Sequence, residues 1–118
     1  MSYDSNNVFA KILRKEIPCK GIYEDQSVLA FYDINPKATI HALVITKAAY
    51  QNFSDLITNG KPDEINGFLT GILATVKALN LDQDGYRIVM NTGKNSGQEV
   101  PHLHAHILGG EKLSVNCL

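Results

Sequence analysis

Apolar positions along the chain follow two rhythms, and the switches between them set out the elements. From Asn6 or Asn7, either of which can cap a helix, Val8, Phe9, Ile12 and Leu13 fall on one face and Lys11, Arg14 and Lys15 on the other. Pro18 is expected to end this short helix, and residues 1–6 before it read as a loose tail. The rhythm then shortens. Residues 21–24 and 27–33 read as two strands joined by a turn at Asp25-Gln26, and Asn35-Pro36 breaks the chain. Residues 39–46 are nearly continuously apolar, which predicts a central strand with His41, Leu43 and Ile45 on one face and Ile40, Ala42 and Val44 on the other.

Residues 48–57 are ambiguous, a short helix being one reading, and Asn59 to Pro62 form a loop. From Asp63 to Leu79 the period is helical: Ile65, Phe68, Leu69, Ile72, Leu73, Val76 and Leu79 form one stripe. Gly67 and Gly71 each cost this helix roughly 1 kcal/mol of propensity, which points to close approach of a sheet or of a partner helix. Their spacing is not a membrane motif, because charged and polar residues share the helix. After a turn at residues 82–85, residues 86–91 read as a strand. The polar, glycine-bearing loop 92–98 then leads to a last strand over Pro101 to Gly110. Strands in hairpin order with one long helix inserted predict an α+β fold: one domain over residues 1–118, an antiparallel sheet, helices to one side, and residues 111–118 as a tail.

Composition narrows the class without changing this picture. With 118 residues and 44% hydrophobic content the chain can bury a core without metal or disulfide staples. A formal charge of −1 gives no electrostatic case for a nucleic-acid or membrane surface. Cys19 and Cys117 belong to no Cys-x-x-Cys pair and read as free thiols of a reducing compartment. The polar start, Met1 to Asn7, is not a secretory signal, and a cytoplasmic protein is the expectation.

The chemistry concentrates in the last strand. His102, His104 and His106 alternate with Leu103, Ala105 and Ile107, so a strand turns the three imidazoles to one face, roughly 6.5–7 Å apart at Cα. One reading is a structural cluster, although three histidines in register argue against it. A second is a zinc site completed by His41, with Asp33 and Glu99 as the nearby carboxylates; no cysteine motif accompanies it. A third is nucleophilic catalysis at phosphorus. A neutral imidazole is a good nucleophile near neutral pH, crowding disfavours protonation, and the loop from Asn91 to Val100 supplies glycines and an amide that can aim N–H donors at an anion.

The segment His102-Leu103-His104-Ala105-His106-Ile107-Leu108 resembles the signature of the histidine triad (HIT) superfamily. The segments 9–18, 29–36, 41–45, 85–91 and 97–100, together with Gly109-Gly110, are similar to its Hint branch, the purine nucleoside phosphoramidases. This resemblance over residues 8–110 implies a HIT-like fold: a five-stranded antiparallel sheet with one long and one short helix, and a homodimer whose sheets join into one. The long helix with its glycines is a candidate contributor to that interface. It implies hydrolysis of the P–N bond of adenosine phosphoramidates, and of acyl-adenylates as a further substrate class, to AMP through a nucleotidyl-histidine intermediate on His104. His102 and His106 would orient His104 and bond the phosphoryl oxygens, and His41 would tune it from behind. Asn91 and the Gly97-Gln98-Glu99-Val100 segment would hold the phosphate, and Asp33 the ribose hydroxyls. Phe9, Ile12, Ile17, Phe31 and Ile34 would enclose the base. No cofactor is expected, zinc included. A regulatory nucleotide-binding protein with incidental turnover and a dinucleoside polyphosphate hydrolase are the alternatives.

Three positions depart from the pattern. Glu99 stands where animal Hint proteins have serine, and its carboxylate is expected to turn away while its N–H serves. Pro101 replaces the usual aromatic residue before the first histidine. The tail, which in the family reaches toward the partner's site, lacks the tryptophan of animal forms.

Overall fold

A computed structural model describes residues 2–116 and 118; Cys117 lies outside them, and Cys19 is an exposed free thiol. The elements are α1 (Val8–Leu13), β1 (Gly21–Glu24), β2 (Val28–Tyr32), β3 (Ile40–Thr46), α2 (Phe53–Asn59), α3 (Pro62–Ala78), β4 (Tyr86–Val89) and β5 (His104–Gly109), with one 3-10 turn at Lys94–Ser96. The strands form one antiparallel sheet in the order β1-β2-β3-β5-β4. The apolar β3 is central as its composition requires. It pairs Ile45 with His104 and Leu43 with His106.

The two faces of the sheet do different work. Val28, Ala30, Ala42, Val44, Ala105 and Ile107 face α2 and α3, where Leu56, Phe68, Ile72 and Val76 complete the main core. The opposite face carries Phe31, Leu43 and Ile45, and α1 covers it with Phe9 and Ile12. Among the described residues there are two short helices beside the long α3, where one short helix was expected, and α1 lies across the sheet from α2 and α3, so the expectation of helices on one side is corrected. A six-residue helix gains little from its own propensity; its two buried aromatic and aliphatic anchors decide where it sits.

Several ends are set by local chemistry. Asn7 caps α1, its side chain accepting from the Ala10 N–H at 2.9 Å. The helix stops at Leu13, earlier than Pro18, because Lys15 adopts φ 64° and the Glu16 and Lys15 N–H groups return to the Lys11 and Ile12 carbonyls. The beginning of the chain is tied down where a loose tail was expected: the Asn7 N–H reaches the Asp4 carbonyl and the Asn6 N–H its carboxylate. In α3, Pro62 occupies the first turn and Glu64 accepts from the Lys61 N–H at 2.9 Å.

Gly67 and Gly71 face the sheet. A Cβ on Gly71 would lie 2.5 Å from a Val28 methyl, and one on Gly67 only 2.1 Å from the Ser27 Oγ. The glycines therefore serve helix-on-sheet packing and are unavailable to a partner helix. What α3 presents outward is Leu69 and Leu73, both exposed although the helical period placed them in the buried stripe. The tail is anchored by Glu111, which accepts from the Thr39 N–H at 2.7 Å, and by Arg87, which donates to the Ser114 carbonyl at 2.7 Å.

Candidate active site

The face of β3 and β5 that α1 leaves partly open gathers the histidines. His41 from β3 and His104 and His106 from β5 line a cavity of about 350 Å³, with Asp33, Lys37, Asn91 and the Gly97–Val100 segment around it. Phe9 closes one side, its ring edge-on to His104 with centroids 4.9 Å apart. His102 precedes the strand proper and does not line this cavity. It is 1% exposed.

Each ring is held by groups whose chemistry fixes its proton. The His102 carbonyl can only accept, so at 2.7 Å it receives the Nδ1–H of His104, which leaves the Nε2 of His104 as a lone pair. The Lys37 N–H donates to Nδ1 of His41 at 2.9 Å, so the proton of a neutral His41 sits on Nε2. That nitrogen is 2.9 Å from Nδ1 of His106 and 3.4 Å from the Asp33 carboxylate. His106 then carries its own proton on Nε2. The nucleophile candidate thus offers a lone pair, and its neighbour, with ring centroids 5.2 Å away, offers an N–H donor.

Burial also fixes the charge. It pushes the pKa of His106 down to about 4, with help from neighbouring His104 and His41 and against the pull of Asp33. His104, His102 and His41 are lowered too, each chiefly by burial. The cluster is neutral at physiological pH, which suits a nucleophile.

The second bond of His102 corrects its expected role. Its Nε2–H donates to the Thr46 carbonyl at 2.6 Å and its Nδ1 accepts from the Tyr3 hydroxyl at 2.5 Å. Neither nitrogen is left for a phosphoryl oxygen; His102 acts on His104 through its carbonyl. Of the apolar set, only Phe9 lines the histidine cavity. Ile12 and Ile17 line a separate groove of about 660 Å³ with Leu13, Leu29 and Cys19. Phe31 is packed behind Phe9, and Ile34 is 92% exposed.

In the phosphate loop, Gly93 and Gly97 have φ 77° and 81°, left-handed conformations that cost other residues strain. The Gln98 side chain braces the loop from inside: Oε1 accepts from Gly93, and Nε2 donates to Gln51 and Val100 carbonyls. The Gln98 N–H is spent on the Gly93 carbonyl, while those of Glu99 and Val100 form no hydrogen bond among the described residues. Glu99 is exposed. Sequence reasoning missed Lys37, Tyr3 and the Thr46 carbonyl, because two of the three act through or upon backbone atoms.

Asp33, His41 and His106 bring one donor atom each within 4.8 Å of one another. As arranged, two of those atoms, His41 Nε2 and His106 Nδ1, share a hydrogen bond that a cation would have to displace. Two imidazole nitrogens on a tetrahedral zinc stand roughly 3.3 Å apart, whereas here one nitrogen carries the proton that bonds it to the other at 2.9 Å. A larger groove of about 710 Å³ between the end of α3, β4 and the tail offers charged groups but no nucleophile cluster.

The HIT domain family model matches residues 14–113. The chain belongs to the HIT family. This HIT domain is 50% identical over 107 residues to an uncharacterized HIT-like protein of Helicobacter pylori, covering 90% of this chain and 98% of that one. It is 40% identical over 111 residues to a 14 kDa zinc-binding protein of Zea mays, covering 94% and 87%. Among solved structures, a HIT family hydrolase from Clostridium thermocellum superposes with a TM-score of 0.87 at 35% identity, covering 98% of this chain and 99% of that one. The five-stranded antiparallel fold is shared with solved structures of HIT proteins. No helix among the described residues is long and apolar enough to cross a membrane.

Proposed function

We propose that this HIT hydrolase cleaves the P–N bond of purine nucleoside phosphoramidates, as Hint-branch proteins do, with His104 as the nucleophile. The observation that carries the reading is the bond from His104 Nδ1–H to the His102 carbonyl, which leaves Nε2 bare toward a cavity bordered by N–H donors. Nε2 attacks phosphorus, the new N–P bond forms and the P–N bond to the amine breaks; the amine departs with a proton taken from solvent. Water then attacks phosphorus, the N–P bond to His104 breaks, AMP leaves and a proton returns to solvent. The His106 Nε2–H and the N–H groups of Glu99 and Val100 meet the phosphoryl oxygens as charge grows on them. Asn91 adds its amide. Asp33 accepts from the ribose hydroxyls, and Phe9 and the exposed Ile34 receive the base.

The site uses imidazole chemistry throughout and needs no metal ion in this reading. The partner is a second copy: β4 is an edge strand whose Tyr86 and Ile88 are exposed, and pairing two such edges would extend the sheet across a homodimer.

The test is adenosine 5′-phosphoramidate turnover with mass spectrometry for a nucleotidyl adduct. The protein should release AMP, survive chelator treatment with full activity, and trap the adduct on His104. His104→Ala should lose turnover by at least about a thousandfold with its fold intact. Undiminished turnover in that variant would sink the mechanism.

A further inference from the structure

We propose that the hydroxyl of Tyr3 is a positioning group for the reaction: it fixes the proton of His102 and, through the His102 carbonyl, the direction in which His104 offers its lone pair. This rests on the reading of His104 as nucleophile. The hydrogen bonds run with one polarity. Asn7 Nδ2–H donates to the Tyr3 oxygen at 2.9 Å, the Tyr3 O–H donates to His102 Nδ1 at 2.5 Å, and the His102 Nε2–H donates to the Thr46 carbonyl at 2.6 Å. The order cannot reverse, because Thr46 supplies only an acceptor and the Asn7 amide oxygen is already taken by the Ala10 N–H that it caps.

The ring of His102 is gripped as well as bonded. Tyr3 meets it edge-on with centroids 5.6 Å apart, and Phe9 meets it at 6.2 Å. At 1% exposure no solvent can replace a lost partner. Without the Tyr3 hydroxyl, Nδ1 becomes a buried acceptor with nothing to accept from. Moving the proton from Nε2 to Nδ1 would only exchange that acceptor for an unpaired donor and set a bare Nε2 against the Thr46 carbonyl oxygen, so the ring relieves the loss by turning over, which gives up the Thr46 carbonyl and shifts the His102 peptide. The carbonyl of that peptide receives the Nδ1–H of His104 at 2.7 Å. Once it moves, His104 is free to adopt the other tautomer, with an N–H where the reaction needs a lone pair. The opening segment of the chain is therefore part of the site's support, reaching the nucleophile through two hydrogen bonds and one peptide.

The experiment is Tyr3→Phe in the full-length protein, which keeps the ring and removes only the hydroxyl. The expected result is a loss in kcat of roughly five- to twentyfold with KM held within about twofold. In ¹⁵N spectra of histidine-labelled protein, the parent should show His102 as the Nε2–H tautomer and His104 as the Nδ1–H tautomer. In Tyr3→Phe both patterns should become mixed. A variant with unchanged kcat, or one whose kcat falls while both tautomers stay pure, overturns the proposal. If the parent does not turn over the phosphoramidate, the reading of the reaction fails, yet the tautomer comparison still decides whether Tyr3 sets the state of the two rings.

Discussion

His106 gives the sharpest test of the claim that burial keeps the site uncharged. Its pKa in the folded chain is lowered to about 4, while in the unfolded chain it should titrate near its ordinary value of about 6.5. Well above that value the ring is neutral in both states and adds no pH dependence. As pH falls through about 6.5 the unfolded chain takes up a proton that the folded chain refuses, so stability drops until the folded ring also protonates near pH 4. At about pH 4.5 the two values correspond to a loss of roughly 2.5 kcal/mol, which the partial exposure of the ring reduces to about 1.5–2 kcal/mol. Urea unfolding at about pH 7.5 and about pH 4.5 measures it, run in parallel on His106→Gln, which lacks the titrating group. The parent protein should lose about 1.5–2 kcal/mol more than the variant over that interval. Equal losses, or a His106 ring titrating near 6.5 by NMR, would refute the reasoning.

Other predictions follow from particular contacts. Lys15→Gly should stabilise the protein by about 1 kcal/mol and raise Tm by a few degrees in a thermal melt, because glycine keeps the left-handed backbone at the end of α1 without the strain that a Cβ brings there. Gly71→Ala should destabilise it by roughly 1–2 kcal/mol in urea, the helical gain of about 1 kcal/mol being outweighed by the clash with Val28. Asp33→Ala should raise KM for adenosine phosphoramidate about tenfold and change kcat little; an equal loss on substrates lacking ribose hydroxyls would reassign Asp33 to the support of His41.

The strands themselves were legible because their signals are local: alternation along β2, the unbroken apolar run of β3, and glycines at the turns; that β5 inserts between β3 and β4 was not, because hairpin order alone pairs each strand with the next. The histidine face was legible too, since three rings two residues apart allow few arrangements. Four further things were not. Leu69 and Leu73 fit the helical period, but Gly67 and Gly71 rotate α3 so that its small residues meet the sheet. Ile34 and Phe31 are both apolar and close in sequence, yet the strand ends between them, leaving one exposed and the other in the core. Lys37 and Thr46 act through backbone atoms, which carry no residue-type signature. Tyr3 sits in a polar stretch without periodicity, and nothing local announces that its hydroxyl meets a ring 99 residues away.

The central place of β3 has a consequence for how the protein fails. His41 rides on the strand flanked on both sides, and His104 and His106 on its neighbour β5, which is itself paired on both edges. Amides in such strands exchange with solvent only when the whole domain opens. Heat or denaturant should therefore disperse the histidine cluster only with the fold itself. The phosphate loop belongs to the easily opened class, so milder perturbation should weaken phosphate binding first while the imidazoles stay in register.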